Sequence, residues 1–395
     1  MSGALATPLA LERELGRYDA GRPGPTLLVC AGIHGNEPAG VHAVRRFLAK
    51  LQEAAPPIAG KVVAVAGNLG ALAVQRRFQV RDLNRGWTAD KVDALRKRDP
   101  ADDTPEDAEQ RALLAVFEQV EAERRGPLVF VDLHTSSGDG PPFTCTGDTL
   151  PNRALATALP VPLILGLEET IDGAVLEWFN ARGHAALAIE AGRHDRPETI
   201  ANHEACLWVL LGATGMLDPE AVPGRVAWLR HLAESAAGTP PVVEIRYRHV
   251  VRPEDRFTME PGFVSFQRIV KGQVMGRSAS GPVRARETGR VLLPLYQAQG
   301  DDGFFAGRDV RPFWLAVARL LRAVRFDRVV RLLPGVRASK DDPNTILASR
   351  RVARWFLVEV FHLLGFRKER AQGDVLVFSR RFANAEARSL PWKVR

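Results

Sequence analysis

Five short apolar runs, set between stretches of helical periodicity, constrain this chain more than any other feature. They are TLLVCAGI (26–33), KVVAVAGN (61–68), PLVFVDLH (127–134), PLILGL (162–167) and AALAIEAG (185–192). A run that is apolar at every position, rather than at alternate ones, reads as a strand covered on both faces. The intervening stretches read as helices. Pro38 is suited to a first helical turn and opens AGVHAVRRFLAKLQEA. TPEDAEQRALLAVFEQVEAERR (104–125) is amphipathic, with Thr104 as N-cap and acidic residues in its first turn. HEACLWVLLGATGML (203–217) is an apolar helix. This alternation predicts an α/β fold, with a mixed, mostly parallel sheet and helices on both faces.

The pattern changes at Ala236-Ala237-Gly238-Thr239-Pro240-Pro241, which reads as a linker. VVEIRYRHVV, GFVSFQRIV, QVMGRSA and GRVLLPLYQ follow, punctuated by Gly and Pro, and predict a small β-rich domain. The expected organisation is a catalytic domain over 1–237, a β-rich domain over 238–311 and an Arg-rich mixed extension over 312–395. The extension holds a helix candidate over 348–365 and a hairpin candidate over 366–381.

Composition narrows the partners. Of 395 residues, 54 are basic and 46 acidic, a net charge of +8. Only eight of the 54 are lysine, which points to a general arginine bias rather than to a polyanion partner. Arg350, Arg351 and Arg354 crowd one end of the 348–365 candidate, but Trp355, Phe356, Leu357, Val360 and Phe361 make the rest apolar. That pattern suits a packed helix or a subunit interface, so no nucleic-acid partner is expected and a homo-oligomer is possible. Cys30, Cys145 and Cys206 have no paired spacing and read as small buried hydrophobes. No membrane span is expected. Glu12 and Glu14 interrupt any signal-type apolar stretch, so the expected location is cytoplasmic.

The polar residues that end the apolar runs carry the chemistry. His34 and Glu37 sit where one strand feeds a helix, and ligands in open α/β sheets bind at the carboxyl ends of strands. Imidazole and carboxylate suit zinc, and a catalytic zinc uses three protein ligands. His134, ending another buried strand, is the natural third ligand; the alternative is a histidine satisfied by loop hydrogen bonds. Arg76, Arg77, Arg81 and Arg85, with Asn84, form either a carboxylate cradle or a solvated basic loop. Glu190 closes an apolar strand, which fits a structural ion pair or a general base of raised pKa near metal-bound water.

GIHGNEPAG, RDLNRGW, VDLHTSSG and IEAG, in that order, resemble the succinylglutamate desuccinylase and aspartoacylase family, related to zinc carboxypeptidases. The resemblance spans about 26–217, and PLYQAQGDDGFF is similar to the family's C-terminal domain. It implies one zinc per chain held by His34, Glu37 and His134. Glu190 would be general base and then proton donor, and Arg77 would polarise the scissile carbonyl. Asn84 and Arg85 would grip the substrate's α-carboxylate. The implied activity is hydrolysis of the amide bond of an N-acyl amino acid, a small carboxylated amide. A carboxypeptidase-like enzyme for small peptides or peptidoglycan fragments is the alternative. Arg193 and His194 follow the base in place of the family's Val-Gly-Pro type of loop, and could line the pocket. The loop after His134 also departs from the aspartoacylase type, so neither N-acetylaspartate nor N-succinylglutamate is singled out. A phenolic substrate contact would have to come from Tyr247 or Tyr296.

Overall fold

The computed structural model describes residues 11–339, 342, 344–349, 357–366, 368–372 and 375–380. All five apolar runs form strands. In chain order the first eight strands are β1 (Glu14–Asp19), β2 (Thr26–Ala31), β3 (Lys61–Ala66), β4 (Leu128–Ser136), β5 (Phe143–Cys145), β6 (Leu163–Leu165), β7 (Ala185–Arg193) and β8 (Val242–Val250). Six more follow: β9 (Thr258–Met259), β10 (Arg268–Ile269), β11 (Val274–Ser278), β12 (Gly281–Arg284), β13 (Gly289–Leu292) and β14 (Asp302–Asp309). One eleven-stranded sheet runs β1-β3-β2-β4-β7-β5-β6-β8-β14-β13-β10. Its centre is parallel across β3, β2, β4 and β7, and parallel again across β5, β6 and β8. Antiparallel pairs flank that centre.

The doubly apolar strands have the cause the sequence suggests. On β2, Leu27, Val29 and Ala31 pack on one face with Phe47 and Leu51 of the helix Ala39–Ala54 and Leu207 of the helix Pro197–Ala213. Leu28 and Cys30 pack on the other with Phe117 of the helix Pro105–Ala122 and Phe179 of the helix Val175–Ala181. Phe130 and Phe179 stack at 4.0 Å, and such aromatic pairs add about 0.5–1.5 kcal/mol beyond the area they bury. Thr104 caps its helix in a reciprocal box with Asp107.

Strand β1 has no counterpart among the apolar runs. Its sequence, ELGRYD, is polar because it forms an antiparallel edge on β3 and buries little. Past the expected linker, β8 pairs in parallel with β6, so the main sheet continues through this region. Of GFVSFQRIV only Arg268–Ile269 forms a strand, and β9, β11 and β12 make a separate three-stranded sheet.

In the extension, β15 (Val336–Ala338), β16 (Thr345–Ser349), β17 (Lys368–Gln372) and β18 (Val375–Ser379) form a four-stranded antiparallel sheet. The expected hairpin is β17–β18. The helix expected over 348–365 is shorter. Residues 345–349 are strand, because Ile346 and Ala348 alternate into the core of this sheet. Helix is present at Leu357–Leu363, and residues 350–356 lie outside the described ones. Arg322, buried, donates to the Asp148 carboxylate and to the carbonyls of Asp148 and Leu363, which ties the extension to the α/β core. No described helix is long and apolar enough to cross a membrane.

Candidate active site

The site is assembled where β2, β4 and β7 end. Gly32, at φ +72°, turns the chain sharply out of β2. At Gly35 a Cβ would stand 2.0 Å from the Ala71 carbonyl carbon, so no larger residue fits between His34 and the neighbouring backbone. The turn delivers His34 and Glu37, and Pro38 then leads into the helix Ala39–Ala54. On β4 and β7 the even-numbered residues share a face. Phe130, Ala186 and Ala188 use it for the core; Asp132, His134 and Glu190 continue the same row to the strand ends. His134 and Glu190 are direct partners in the parallel ladder.

Ligand atoms of His34, Glu37 and His134 lie within 4.8 Å of one another, and all three residues are buried. His34 Nδ1 is 2.8 Å from Glu37 Oε1, and His134 Nδ1 is 3.1 Å from Glu37 Oε2. The outer nitrogens are held by carboxylates: His34 Nε2 lies 3.1 Å from Asp82 Oδ1, and His134 Nε2 lies 2.9 Å from Asp132 Oδ2. Metal-binding histidines use such partners to set ring orientation and tautomer. The donor set therefore fits a divalent cation of zinc type, with two imidazole nitrogens and a carboxylate converging. Burial raises the Glu37 and Asp82 carboxyls, but it is outweighed: His34 and His134 hold Glu37, and Arg77 and His34 hold Asp82, well below the usual range. Burial opposes the charge on His134, but Asp132 and Glu37 raise its pKa well above the ordinary imidazole value.

Glu190 has the opposite balance. Burial pushes its carboxyl up to about 7, against the pull of His134, and the nearby Glu37 adds to the rise. Its Oε2 is buried and has no hydrogen-bond partner among the described residues.

The arginine-rich loop is pinned from behind. Trp87 is fully buried beside Phe117 and Trp178, and its amide donates to the Gly173 carbonyl at 3.0 Å. Glu106 accepts from the amides of Gln79, Val80 and Arg81 at 2.7, 3.1 and 3.3 Å. A buried carboxylate with that many donors offsets its desolvation cost and fixes the backbone. Arg77 and Arg85 then line the pocket with His34, Glu37, His134 and Glu190. Arg77 bonds Asp82 Oδ2 at 2.9 Å and lies 3.5 Å from Glu37 Oε1. Arg81 turns away to Asp107 and Gln110. Asn84 also lines the pocket, with its Oδ1 accepting from the Val175 amide at 2.8 Å.

Other sequence candidates lie elsewhere. Arg193 pairs with Asp139 and Asp195 and does not line the pocket. His194 stands one layer back, 2.6 Å from Thr135 Oγ1 and 3.1 Å from Gln297 Oε1, while Gln297 itself reaches the lining. Tyr296 is used structurally, donating to the Glu260 carbonyl and accepting from the Phe263 amide, and Tyr247 contacts His249. Neither tyrosine lines the pocket. Asp82, Asp132, Gln297 and Asp302 were not singled out from sequence. Asp132 had a signal, because it is two residues before His134 on one strand face. Gln297 and Asp302 had only their place in PLYQAQGDDGFF.

Residues 23–191 match the family described as the succinylglutamate desuccinylase/aspartoacylase catalytic domain. A succinylglutamate desuccinylase of Burkholderia pseudomallei (strain 1710b) is 27% identical over 118 residues, covering 30% of this chain and 33% of that protein. One of Photorhabdus laumondii subsp. laumondii is 40% identical over 60 residues, 15% of this chain and 18% of that protein. The chain thus spans a third or less of the length of these curated relatives. Similar solved structures cover more. A succinylglutamate desuccinylase/aspartoacylase from Rhodobacter sphaeroides aligns with TM-score 0.52 and 21% identity, over 74% of this chain and 87% of that one. The product-bound ectoine utilization protein EutE (DoeB) from Ruegeria pomeroyi aligns with TM-score 0.52 and 18% identity, over 72% and 86%. Murine aminoacylase 3 aligns with TM-score 0.50 and 18% identity, over 73% and 96%. These structures share the fold. With the match over residues 23–191, the α/β core of the chain is similar to the catalytic domain of the succinylglutamate desuccinylase/aspartoacylase family.

Proposed function

We propose that the protein is a zinc-dependent amidohydrolase that splits an N-acyl amino acid into a carboxylic acid and a free amino acid. The observation that carries this reading is the convergence of two carboxylate-backed histidines and Glu37 beside a second, partly buried carboxyl, Glu190. His34, Glu37 and His134 would hold the zinc, which supplies a Lewis acid able to lower the pKa of water from 15.7 to about 7.

The chain's own groups do the rest. Glu190 takes the proton of the attacking water on its carboxylate, whose buried Oε2 has no internal partner. The Arg77 guanidinium donates to the scissile carbonyl oxygen as negative charge develops there. Asp82 aims that guanidinium by accepting from its Nη2. Glu190 then returns its proton to the amide nitrogen as the C–N bond breaks. Asn84 and Arg85 hold the α-carboxylate of the amino acid.

The carboxypeptidase-like alternative has less support. Leu293, Pro294, Leu295 and Gln297 wall the pocket opposite the catalytic turn, and the Ser137 hydroxyl accepts from the Tyr296 amide to hold that wall in place. A long peptide has little room there. The test is zinc content by inductively coupled plasma mass spectrometry, followed by amine release from N-acyl amino acids. About one zinc per chain and hydrolysis that His134→Ala abolishes support the proposal. A chain that takes up no zinc overturns it, and efficient cleavage of a decapeptide relative to a dipeptide favours the alternative.

A further inference from the structure

The pocket has two guanidiniums, and each is already engaged. Arg77 bonds Asp82 through Nε and Nη2 and lies 3.5 Å from Glu37, and its role in the proposed reaction is at the scissile carbonyl. Arg85 donates through Nη2 to Asp302 Oδ2 at 3.0 Å and through Nη1 to the Asn84 carbonyl at 3.0 Å. Asp302 starts β14, so this partner comes from the β-rich segment. A second guanidinium, that of Arg248, holds the other oxygen of Asp302 and donates to the Thr170 carbonyl at 2.7 Å. Swinging Asp302 aside would strand two arginines at once, so it is a fixed wall rather than a gate.

No other Lys or Arg lines the pocket among the described residues. Carboxylates do: besides Glu37 and Glu190, Glu168, Asp301 and Asp302 line it. Leu167, Ile171, Leu176, Leu293 and Phe305 add an apolar part, and Ser136, Ser137 and Gln297 a neutral polar one. If Arg85 takes the substrate's α-carboxylate with its remaining N–H capacity, a second substrate carboxylate finds no further cationic side chain in the lining, only neutral groups such as Ser136, Ser137 and Gln297, acids and hydrocarbon. Like charges at contact distance in a partly dry pocket repel strongly, and burying an unpaired carboxylate is costly.

We infer that the substrate carries one carboxylate, and that Asp302 determines this specificity by engaging Arg85 and repelling a second anionic group. The class is an N-acyl amino acid that is otherwise uncharged and largely apolar. This rests on the deacylase reading above. Specificity of this kind uses a built-in repulsive element as much as an attractive one.

The test is kcat/KM of the zinc-loaded full chain, measured by amine release. N-acetyl-L-leucine, N-acetyl-L-methionine and N-acetyl-L-phenylalanine are compared with N-acetyl-L-aspartate and N-succinyl-L-glutamate. Each dicarboxylic amino-acid substrate is expected at least about tenfold below the best monocarboxylic one. A dicarboxylic substrate that matches or exceeds the monocarboxylic ones overturns the inference and leaves the deacylase reading standing. Release from none of the five overturns that reading, and the inference with it. Asp302→Asn is expected to raise the ratio of N-acetylaspartate to N-acetylleucine turnover at least about tenfold, a change that a merely structural role would not produce. Asp301→Asn, at the exposed rim, should move the same ratio in the same direction by less, and it serves if Asp302→Asn does not fold. Calorimetric binding of L-leucine and L-aspartate as products gives an independent readout. Ratios unmoved in both variants, with L-aspartate bound as tightly as L-leucine by the unmodified enzyme, overturn the role of Asp302.

Discussion

The two walls of the pocket are built differently. The wall that carries the proposed catalytic groups comes from the ends of central parallel strands: His34 after β2, His134 on β4 and Glu190 on β7. The two histidines there are set by buried carboxylates on rigid elements, Asp132 on β4 itself and Asp82 at the start of a helical turn. The opposite wall is the 293–302 stretch between β13 and β14, held by bonds that reach across the cleft, such as Asn36 Nδ2 to Gln297 Oε1 at 2.7 Å. Groups that must converge on one atom belong on the sheet, where backbone pairing leaves them little freedom. Groups that sort substrates belong on the loop, where sequence can change without disturbing the donors.

Breaking the catalytic wall should have the larger effects. His134→Ala, or chelation of the intact protein, should remove zinc and lower kcat/KM by more than ~10⁴-fold, since the water nucleophile is lost with the metal; mass spectrometry and amine release check both. Glu190→Gln should keep zinc at the unmodified level and lower kcat by ~10²–10⁴-fold. That contrast separates base from ligand: Glu190→Gln protein that lacks zinc would place Glu190 among the ligands. Asp132→Asn should weaken zinc affinity or activity by ~10–100-fold, read by competition with a chromogenic chelator. On the opposite wall, Gln297→Ala should leave zinc unchanged and raise KM by roughly fivefold, the size of one hydrogen bond of about 1 kcal/mol. If Gln297→Ala loses zinc as Asp132→Asn does, the division between the walls fails.

Much of the α/β core was legible because its signals are local. Runs with several consecutive apolar positions, such as LLVCA and LVFV, favour strands covered on both faces. Thr104 with Asp107 three residues on announces a helix start. Strand β1 was not legible, because an exposed edge strand needs no apolar run. The 348–349 end of the expected long helix became strand because the neighbours of Ile346 and Ala348 in the sheet decided it, a context that periodicity along the chain does not carry.

The same division holds at the site. The residues alone determined which side chains stand at strand ends: His34, His134 and Glu190 follow apolar runs, and a polar group there must face either a partner or a ligand. Only the tertiary structure decided how the charges pair. Asp82 could have faced solvent and instead holds His34 and Arg77. Arg85, expected to be open for a carboxylate, shares its guanidinium with Asp302, a residue 217 positions away. Pairings of that range follow from which strands the sheet sets side by side and from the cost of leaving buried charge unmatched. Neither is encoded in any short stretch of the chain.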